Sequence, residues 1–177
     1  MLLSHDEIQE LLDQGVVTGT KEGAVNAASL DLHLGDTIML ENNSPQIIDY
    51  GKREPLSMRE YKMNDDGCVL SPGQFILAHS VEVFNLPNNV SAEYKLKSSM
   101  ARIGLEHLKA GWCDATWHGS VLTLELKNMT QHHSIRIKPG QAIGQIVFFR
   151  HSPVSDKASY ASRGRYNGDK TVSAIKA

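Results

Sequence analysis

Ser71-Pro72-Gly73-Gln74-Phe75-Ile76-Leu77-Ala78-His79-Ser80-Val81-Glu82-Val83-Phe84-Asn85-Leu86-Pro87-Asn88-Asn89-Val90-Ser91-Ala92-Glu93-Tyr94-Lys95-Leu96 carries the fold in miniature. Ser-Pro-Gly opens it as a turn, and Gln74–Ala78 and Val81–Phe84 follow as short apolar strands. Leu86-Pro87-Asn88-Asn89 turns the chain again, and Val90–Leu96 makes a further strand. The same grammar recurs downstream, with strands predicted over Ser120–Lys127, Ser134–Ile137 and Ile143–Phe149 and a second Pro139-Gly140 turn. Upstream, Leu30-Asp31-Leu32-His33-Leu34 alternates as a half-buried strand should. Short strands at regular spacing, broken by Pro-Gly and Asn turns, predict an all-β barrel or sandwich. Two helical pieces are expected. One is an N-terminal helix in which Ser4 and Glu7 have capping-box spacing, Ile8, Leu11 and Leu12 form one face and Gly15 ends it. The other is a turn or two at Ser98–Ile103. Glu41–Asp66 is polar and Pro-punctuated, with hints of short strands at Ile47-Ile48 and Tyr50, and reads as a long surface excursion.

Composition narrows the function. A chain of 177 residues suits one domain with a real core. Aromatics are 6% of it, too few for a stacking platform for single-stranded nucleic acid. Cys68 and Cys113 stand far apart, which argues against a structural zinc cluster and a secreted disulfide scaffold. His5-Asp6-Glu7 matches the His-x-Glu half of the zinc-deaminase signature, but no Pro-Cys-x-x-Cys half accompanies it. The amino terminus has no signal-peptide pattern, and no apolar run approaches the ~20 residues of a membrane span. A soluble, cytoplasmic protein is therefore expected, without a membrane partner and without a stacking surface for single-stranded nucleic acid. The net charge of −2 is unevenly placed. From His151 onward five cations face two carboxylates, giving +3 in a Gly- and Ser-containing tail. Such a tail is a nucleic-acid arm, a phosphate-closing flap or a solvated terminus. On the polar face of the early strand, His33 is expected to meet solvent beside Asp31.

The chemistry concentrates between Lys97 and Asn128. Lys97, Ser98, Ser99 and Arg102 supply charge-assisted and hydroxyl donors suited to phosphate oxygens. Glu125 lies in the apolar run Leu122-Thr123-Leu124-Glu125-Leu126, where a charge is costly unless paired, protonated or functional. Asp114 closes Ala110-Gly111-Trp112-Cys113-Asp114. Together these read as a site for an anionic, phosphorylated small molecule. Plainer roles stand beside each: Ser98 and Ser99 as helix caps, Arg102 as a surface arginine, Glu125 as a solvent-facing neighbour of Thr123 and Lys127, and Asp114 as a turn residue. His118, His132 and His133 have no useful partner spacing and read as surface.

Lys-Ser-Ser-Met-Ala-Arg at 97–102, Ile103-Gly104-Leu105, the Ala-Gly-Trp-Cys-Asp run and Leu-Thr-Leu-Glu-Leu resemble the dCTP deaminase branch of the dUTPase superfamily. So, in order, do Ala28–Gly35, Leu70–Gly73, Lys138–Gln145 and Arg165-Tyr166-Asn167-Gly168. The resemblance implies a distorted jelly-roll β-fold over a single domain, 1–177, with 151–177 as a flexible C-terminal lid. It implies a homotrimer with active sites between subunits, and Mg²⁺ held through the substrate triphosphate, without zinc. Glu125 becomes the general base and acid that activates water against C4 of cytosine. Arg102 orients that carboxylate, while Ser98 and the backbone carbonyl of Ala110 hold the water. Lys97, Ser99, Asp114, Tyr160, Arg165, Tyr166 and Lys170 fall to substrate binding, the last four in the lid.

The pattern is not copied everywhere. Lys95 and Leu96 stand where the family has an acidic residue and a Gly, and Asp169 stands where it has a Gln. The segment between Arg102 and Ala110 is one residue short, and that between Asp114 and Glu125 one residue long. The expectation is deamination of dCTP to dUTP and ammonia. Its alternatives are a bifunctional enzyme taking dCTP to dUMP, a dUTP pyrophosphatase using Asp114, a deaminase of a modified cytosine nucleotide, and a non-catalytic nucleotide-binding regulator.

Overall fold

The computed structural model describes residues 1–176. The chain begins with helix α1 (His5–Asp13), then strands β1 (Val17–Thr18), β2 (Leu30–His33), β3 (Thr37–Glu41), β4 (Met58–Lys62), β5 (Cys68–Leu70), β6 (Phe75–Asn85) and β7 (Val90–Leu96). Helix α2 (Ser98–Arg102) interrupts the strands, which resume as β8 (Leu105–His107), β9 (Trp112–Cys113), β10 (His118–Asn128), β11 (Ile135–Ile137) and β12 (Ala142–Arg150); a last helical turn, α3 (Tyr160–Arg163), lies in the tail. Helix α1 starts where expected: the Ser4 N–H and hydroxyl both donate to the Glu7 carboxylate at 3.0 Å. Gly15, at φ +73°, takes the left-handed conformation that stops it.

One sheet runs β4-β3-β6-β10-β8, with β1 also pairing β6; a second runs β2-β12-β7-β9, and β5 pairs β11 in a two-stranded ribbon. Every pairing is antiparallel. Period-two alternation puts Ile76, Ala78, Leu124 and Leu126 of the first sheet and Leu30, Leu32, Ile146 and Phe148 of the second into one hydrophobic cluster. The all-β, jelly-roll-like expectation holds, as do the N-terminal helix and the short helical turns. The barrel alternative does not, because the sheets remain open, with β4 and β8 at the edges of one and β2 and β9 at those of the other.

Three local expectations are corrected. Gln74–Ala78 and Val81–Phe84 merge into the single long β6, and its partner β10 absorbs the irregularity as register shifts between His118 and Ser120 and between Val121 and Thr123. The 41–66 excursion is instead a β3–β4 hairpin with a long loop, and Ile47-Ile48 is not a strand. β4 is exposed along almost its whole length, so no alternation announced it. His33, expected in solvent, is buried: its Nδ1 lies 2.6 Å from Glu82 Oε1, and its backbone N–H donates to Oε2 at 3.0 Å.

Candidate active site

Strand β10 places Thr123 and Glu125 on the half-buried face of its alternation. Both line a cavity of about 440 Å³ together with Asp114, Trp117, Tyr160, Tyr166 and Asp169. Glu125 is therefore not a freely solvated strand residue; its side chain is 27% exposed and borders the cavity. Behind it stands His107, 4% exposed, with Nε2 3.5 Å from Glu125 Oε2. Tyr94 packs edge-on against that imidazole, ring centroids 4.5 Å apart. Burial, reinforced by the Glu125 charge, pushes the Tyr94 phenol far above its ordinary range, so it remains a neutral hydroxyl.

The connection from β8 to β10 forms a second wall. Lys109, at φ +64°, and Thr116, at φ +71°, hold left-handed conformations that non-glycine residues adopt only at some cost. Between them Asp114 accepts the Trp112 indole N–H at 2.9 Å. Trp117 is buried, stacked on Phe84 at 5.2 Å. Burial first, and then the Asp114 charge, raise the Cys113 thiol to about 12, which makes it an inert core residue rather than a nucleophile.

The tail packs along β10. Trp117 Nε1 and Ser120 Oγ both donate to the Tyr166 carbonyl at 2.8 Å, Val121 N–H donates to Asp169 O at 2.8 Å, and Lys170 Nζ donates to Gly119 O at 2.7 Å. The Tyr160 hydroxyl accepts from Tyr166 N–H at 3.3 Å. Gly164 passes so close to the Tyr160 ring that a Cβ there would lie 2.2 Å from it, so only glycine fits. Asp169 bonds the Lys176 ammonium and the Ser173 hydroxyl, which offsets the negative charge flagged in the sequence. Arg165 is exposed, and Ala177, the last residue of the expected lid, lies outside the described residues.

Not every residue singled out in the sequence meets Glu125 within one chain. Ser98, Ser99 and Arg102 on α2 and Ala110 before β9 are all exposed and do not line the cavity. Lys97 donates to Asp31 at 2.6 Å, tying the end of β7 to β2. Conversely, the cavity includes Ile48, Glu54 and Leu56 from the β3–β4 loop, which the sequence reading left on the surface. His118, His132 and His133 are exposed, as expected.

A family model described as dCTP deaminase-like matches residues 2–151. The chain belongs to the dCTP deaminase-like family. Among its relatives in this enzyme family, a dUMP-forming dCTP deaminase from Methanosphaerula palustris is 34% identical over 173 residues, 96% of this chain and 92% of the relative. Another so named, from Methanospirillum hungatei, is 39% identical over 152 residues, 84% of this chain and 81% of the relative. In structure the chain is similar to the 2'-deoxycytidine 5'-triphosphate deaminase of Agrobacterium tumefaciens, with TM-score 0.67 and 24% identity over 83% of this chain. It spans 47% of that longer protein. The likeness extends to the dUTPase fold: EIAV dUTPase gives TM-score 0.51 at 17% identity over 78% of this chain and 88% of its own.

Within this deaminase-family fold, no group of three or more His, Cys, Asp or Glu side chains is arranged to hold a metal ion among the described residues. No helix there is long and apolar enough to cross a membrane.

Proposed function

We propose that this enzyme deaminates dCTP and carries the product on to dUMP, with Glu125 and Asp114 as its two working carboxylates. The observation that carries the reading is that both carboxylates line the same cavity, Glu125 from β10 and Asp114 from the β8–β10 connection. The names of the relatives add support, since they specify dUMP as product. This favours the bifunctional alternative over release of dUTP.

The chemistry follows from the carboxylates. Glu125 takes a proton from water as the water oxygen bonds to C4 of cytosine, and the proton passes to N3. The hydroxyl of the tetrahedral adduct then returns a proton through Glu125 to the exocyclic amine. The C4–N bond breaks, ammonia leaves and C4=O forms, which gives uracil. Asp114 serves the second step as base for a water attacking the α-phosphorus, releasing pyrophosphate.

Lys97, Ser98, Ser99 and Arg102 serve this site from a neighbouring copy, because within one chain α2 is exposed and away from the cavity. An assembly with sites between subunits, a homotrimer by the family's pattern, follows. Tyr160, Arg165, Tyr166 and Lys170 close the tail over the nucleotide as a lid, completing the single domain. Mg²⁺ belongs to the triphosphate oxygens, which suit a hard cation; the pocket carboxylates do not converge into a ligand set.

Purified protein incubated with dCTP and Mg²⁺ tests the proposal, with nucleotides resolved chromatographically and ammonia quantified. Expected products are dUMP, pyrophosphate and ammonia in equal amounts, and Asp114→Asn is expected to stop the reaction at dUTP. Ammonia with dUTP alone from the unaltered enzyme would remove Asp114's role. No turnover of dCTP, but turnover of a 5-substituted analogue, would transfer the reading to a modified cytosine.

A further inference from the structure

Among the described residues, four buried side-chain polar atoms lack a hydrogen-bond partner, and three lie in one place: Tyr94 Oη, His107 Nε2 and Glu125 Oε2. Leaving such an atom unpaired costs on the order of 1–3 kcal/mol, so a cluster of three marks a place where something other than stability is served.

Sequence and fold hold this cluster tightly. β8 pairs with β10 so that His107 stands opposite Leu126, and the Leu108 N–H donates to the Glu125 carbonyl at 3.2 Å. Immediately after, Lys109 N–H turns back to the His107 carbonyl at 2.7 Å, in the left-handed conformation already noted. The imidazole is braced by Tyr94, whose ring stands at 67° to it. Tyr94 is itself clamped: a Cβ at Gly144 would lie 2.0 Å from its ring. His107 thus has little freedom, and the torsion left to adjust is the final one of Glu125, which is broad. The 3.5 Å gap between Nε2 and Oε2 lies just beyond hydrogen-bonding range. Small rotations of this kind commonly tighten when substrate binds.

We propose that His107 is a positioning residue for Glu125: its Nε2–H donates to Oε2, fixing the carboxylate so that Oε1 faces the nucleotide. The inference rests on the reading of Glu125 as general acid–base. A donor to the ionised carboxylate favours the form that can accept water's proton. Charged groups of both signs bear on Glu125: Arg102 and Lys97 reach the site from the neighbouring copy in the proposed assembly, and the Asp169 charge is offset by Lys176. Asp114, Asp169 and Glu54 line the same cavity, the first two from the β9–β10 connection and the tail and the third from the β3–β4 loop. Tyr94 from β7 is neutral, and Lys127 sits two residues along β10.

The test uses the full-length enzyme, following ammonia release from dCTP across pH for wild type, His107→Phe, His107→Gln and Tyr94→Phe, with thermal melts alongside. His107→Phe keeps the ring's bulk without the donor. It is expected to lower kcat roughly 30- to 100-fold, with KM within about twofold, and to move the acid-side limb of the kcat–pH profile upward. His107→Gln, which restores an N–H donor, is expected to recover kcat to within about fivefold of wild type. Tyr94→Phe is expected to change kcat by less than His107→Phe does. Should His107→Phe not fold, His107→Met takes its place. An unmoved profile, or His107→Gln as impaired as His107→Phe with unchanged melts, would overturn the inference. Glu125→Gln separates the two claims: retained turnover there overturns the parent reading, whereas its loss beside a silent His107→Phe overturns only this one.

Discussion

His33 with Glu82 and His107 with Glu125 are both imidazole–carboxylate pairs in which the histidine lies on a short strand, yet their surroundings differ. Glu82 is fully buried, and both its oxygens are used, one by the His33 ring and one by the His33 backbone N–H. Around it Ser80 Oγ donates to the Glu82 carbonyl at 2.8 Å and accepts from Leu122 N–H at 2.9 Å, so the polar centre is closed on itself. It joins β2 of one sheet to β6 of the other. Glu125 lies beside a cavity, its Oε2 and the facing His107 Nε2 both unpartnered. Closure is what a structural pair needs, because buried charge is tolerated only when every lone pair is satisfied. An open pair keeps a carboxylate available to a substrate proton. On the proposed reading, the same two residue types divide between architecture and chemistry according to what remains unsatisfied.

The largest effect is expected at the open pair. Glu125→Gln keeps shape and hydrogen-bonding capacity but cannot cycle a proton, and ammonia release is expected to fall by roughly 10³-fold or more. Nucleotide binding, followed by calorimetry, is expected to persist, and the melting temperature to hold or rise. Turnover within tenfold of wild type would show that the open pair is not the chemical one.

At the closed pair the effect should fall on stability instead. Glu82→Leu leaves His33 buried and unpaired, at a cost of roughly 3–5 kcal/mol, or on the order of 10 °C in Tm for a chain of this size. The double variant His33→Leu/Glu82→Leu is expected to regain much of that loss, since a buried pair replaced by apolar side chains costs little. Denaturant melts of the three proteins test this, and a double variant no better than the single would show that the pair is needed for more than mutual neutralisation.

The contrast also explains what was legible in the sequence. Val90–Leu96 was delimited correctly because it alternates between two turn signals, and Glu125 stood out because its strand neighbours are apolar. β4 was invisible because an exposed edge strand has no buried face to leave a period-two trace. His33 was misplaced because its partner lies 49 residues away on another sheet, and alternation alone cannot tell a solvated polar residue from one facing a buried carboxylate. His107 escaped for the same reason: strand pairing between β8 and β10 delivers it to Glu125, and nothing in Leu105-Glu106-His107 announces that pairing. The cavity's loop wall, Ile48, Glu54 and Leu56, carries no periodic signal either.

A smaller effect is expected from the tail. Ending the chain before Arg163 removes Tyr166 from the cavity and the backbone bonds that Trp117 and Ser120 make to it. Triphosphate affinity is expected to fall about tenfold, roughly 1.4 kcal/mol, and the loss to grow smaller for the nucleoside, which has no phosphates to enclose. Equal losses for both ligands would make the tail a wall of the base pocket rather than a lid.

The smallest effect is expected at a third carboxylate pair, Asp31 with Lys97, which tests where the boundary between structure and chemistry runs. Burial alone would raise the Asp31 carboxyl, but hydrogen bonds from Lys97 and Asn26, with the Lys97 charge, outweigh it and hold Asp31 below the usual aspartate range. A depressed carboxyl contributes stability above its unfolded value, near pH 4, and that contribution disappears as pH falls through the lower folded value. Asp31→Asn is therefore expected to cost about 1 kcal/mol at pH 7 and progressively less as the pH falls below about 4, measured by paired denaturant melts. It also frees the Lys97 ammonium. If Lys97 holds phosphate from across a subunit boundary, Asp31→Asn should leave triphosphate affinity unchanged or raise it. A fall in affinity with stability held by osmolyte would mean that Asp31 aims the lysine, and the pair would then belong with Glu125 rather than with Glu82.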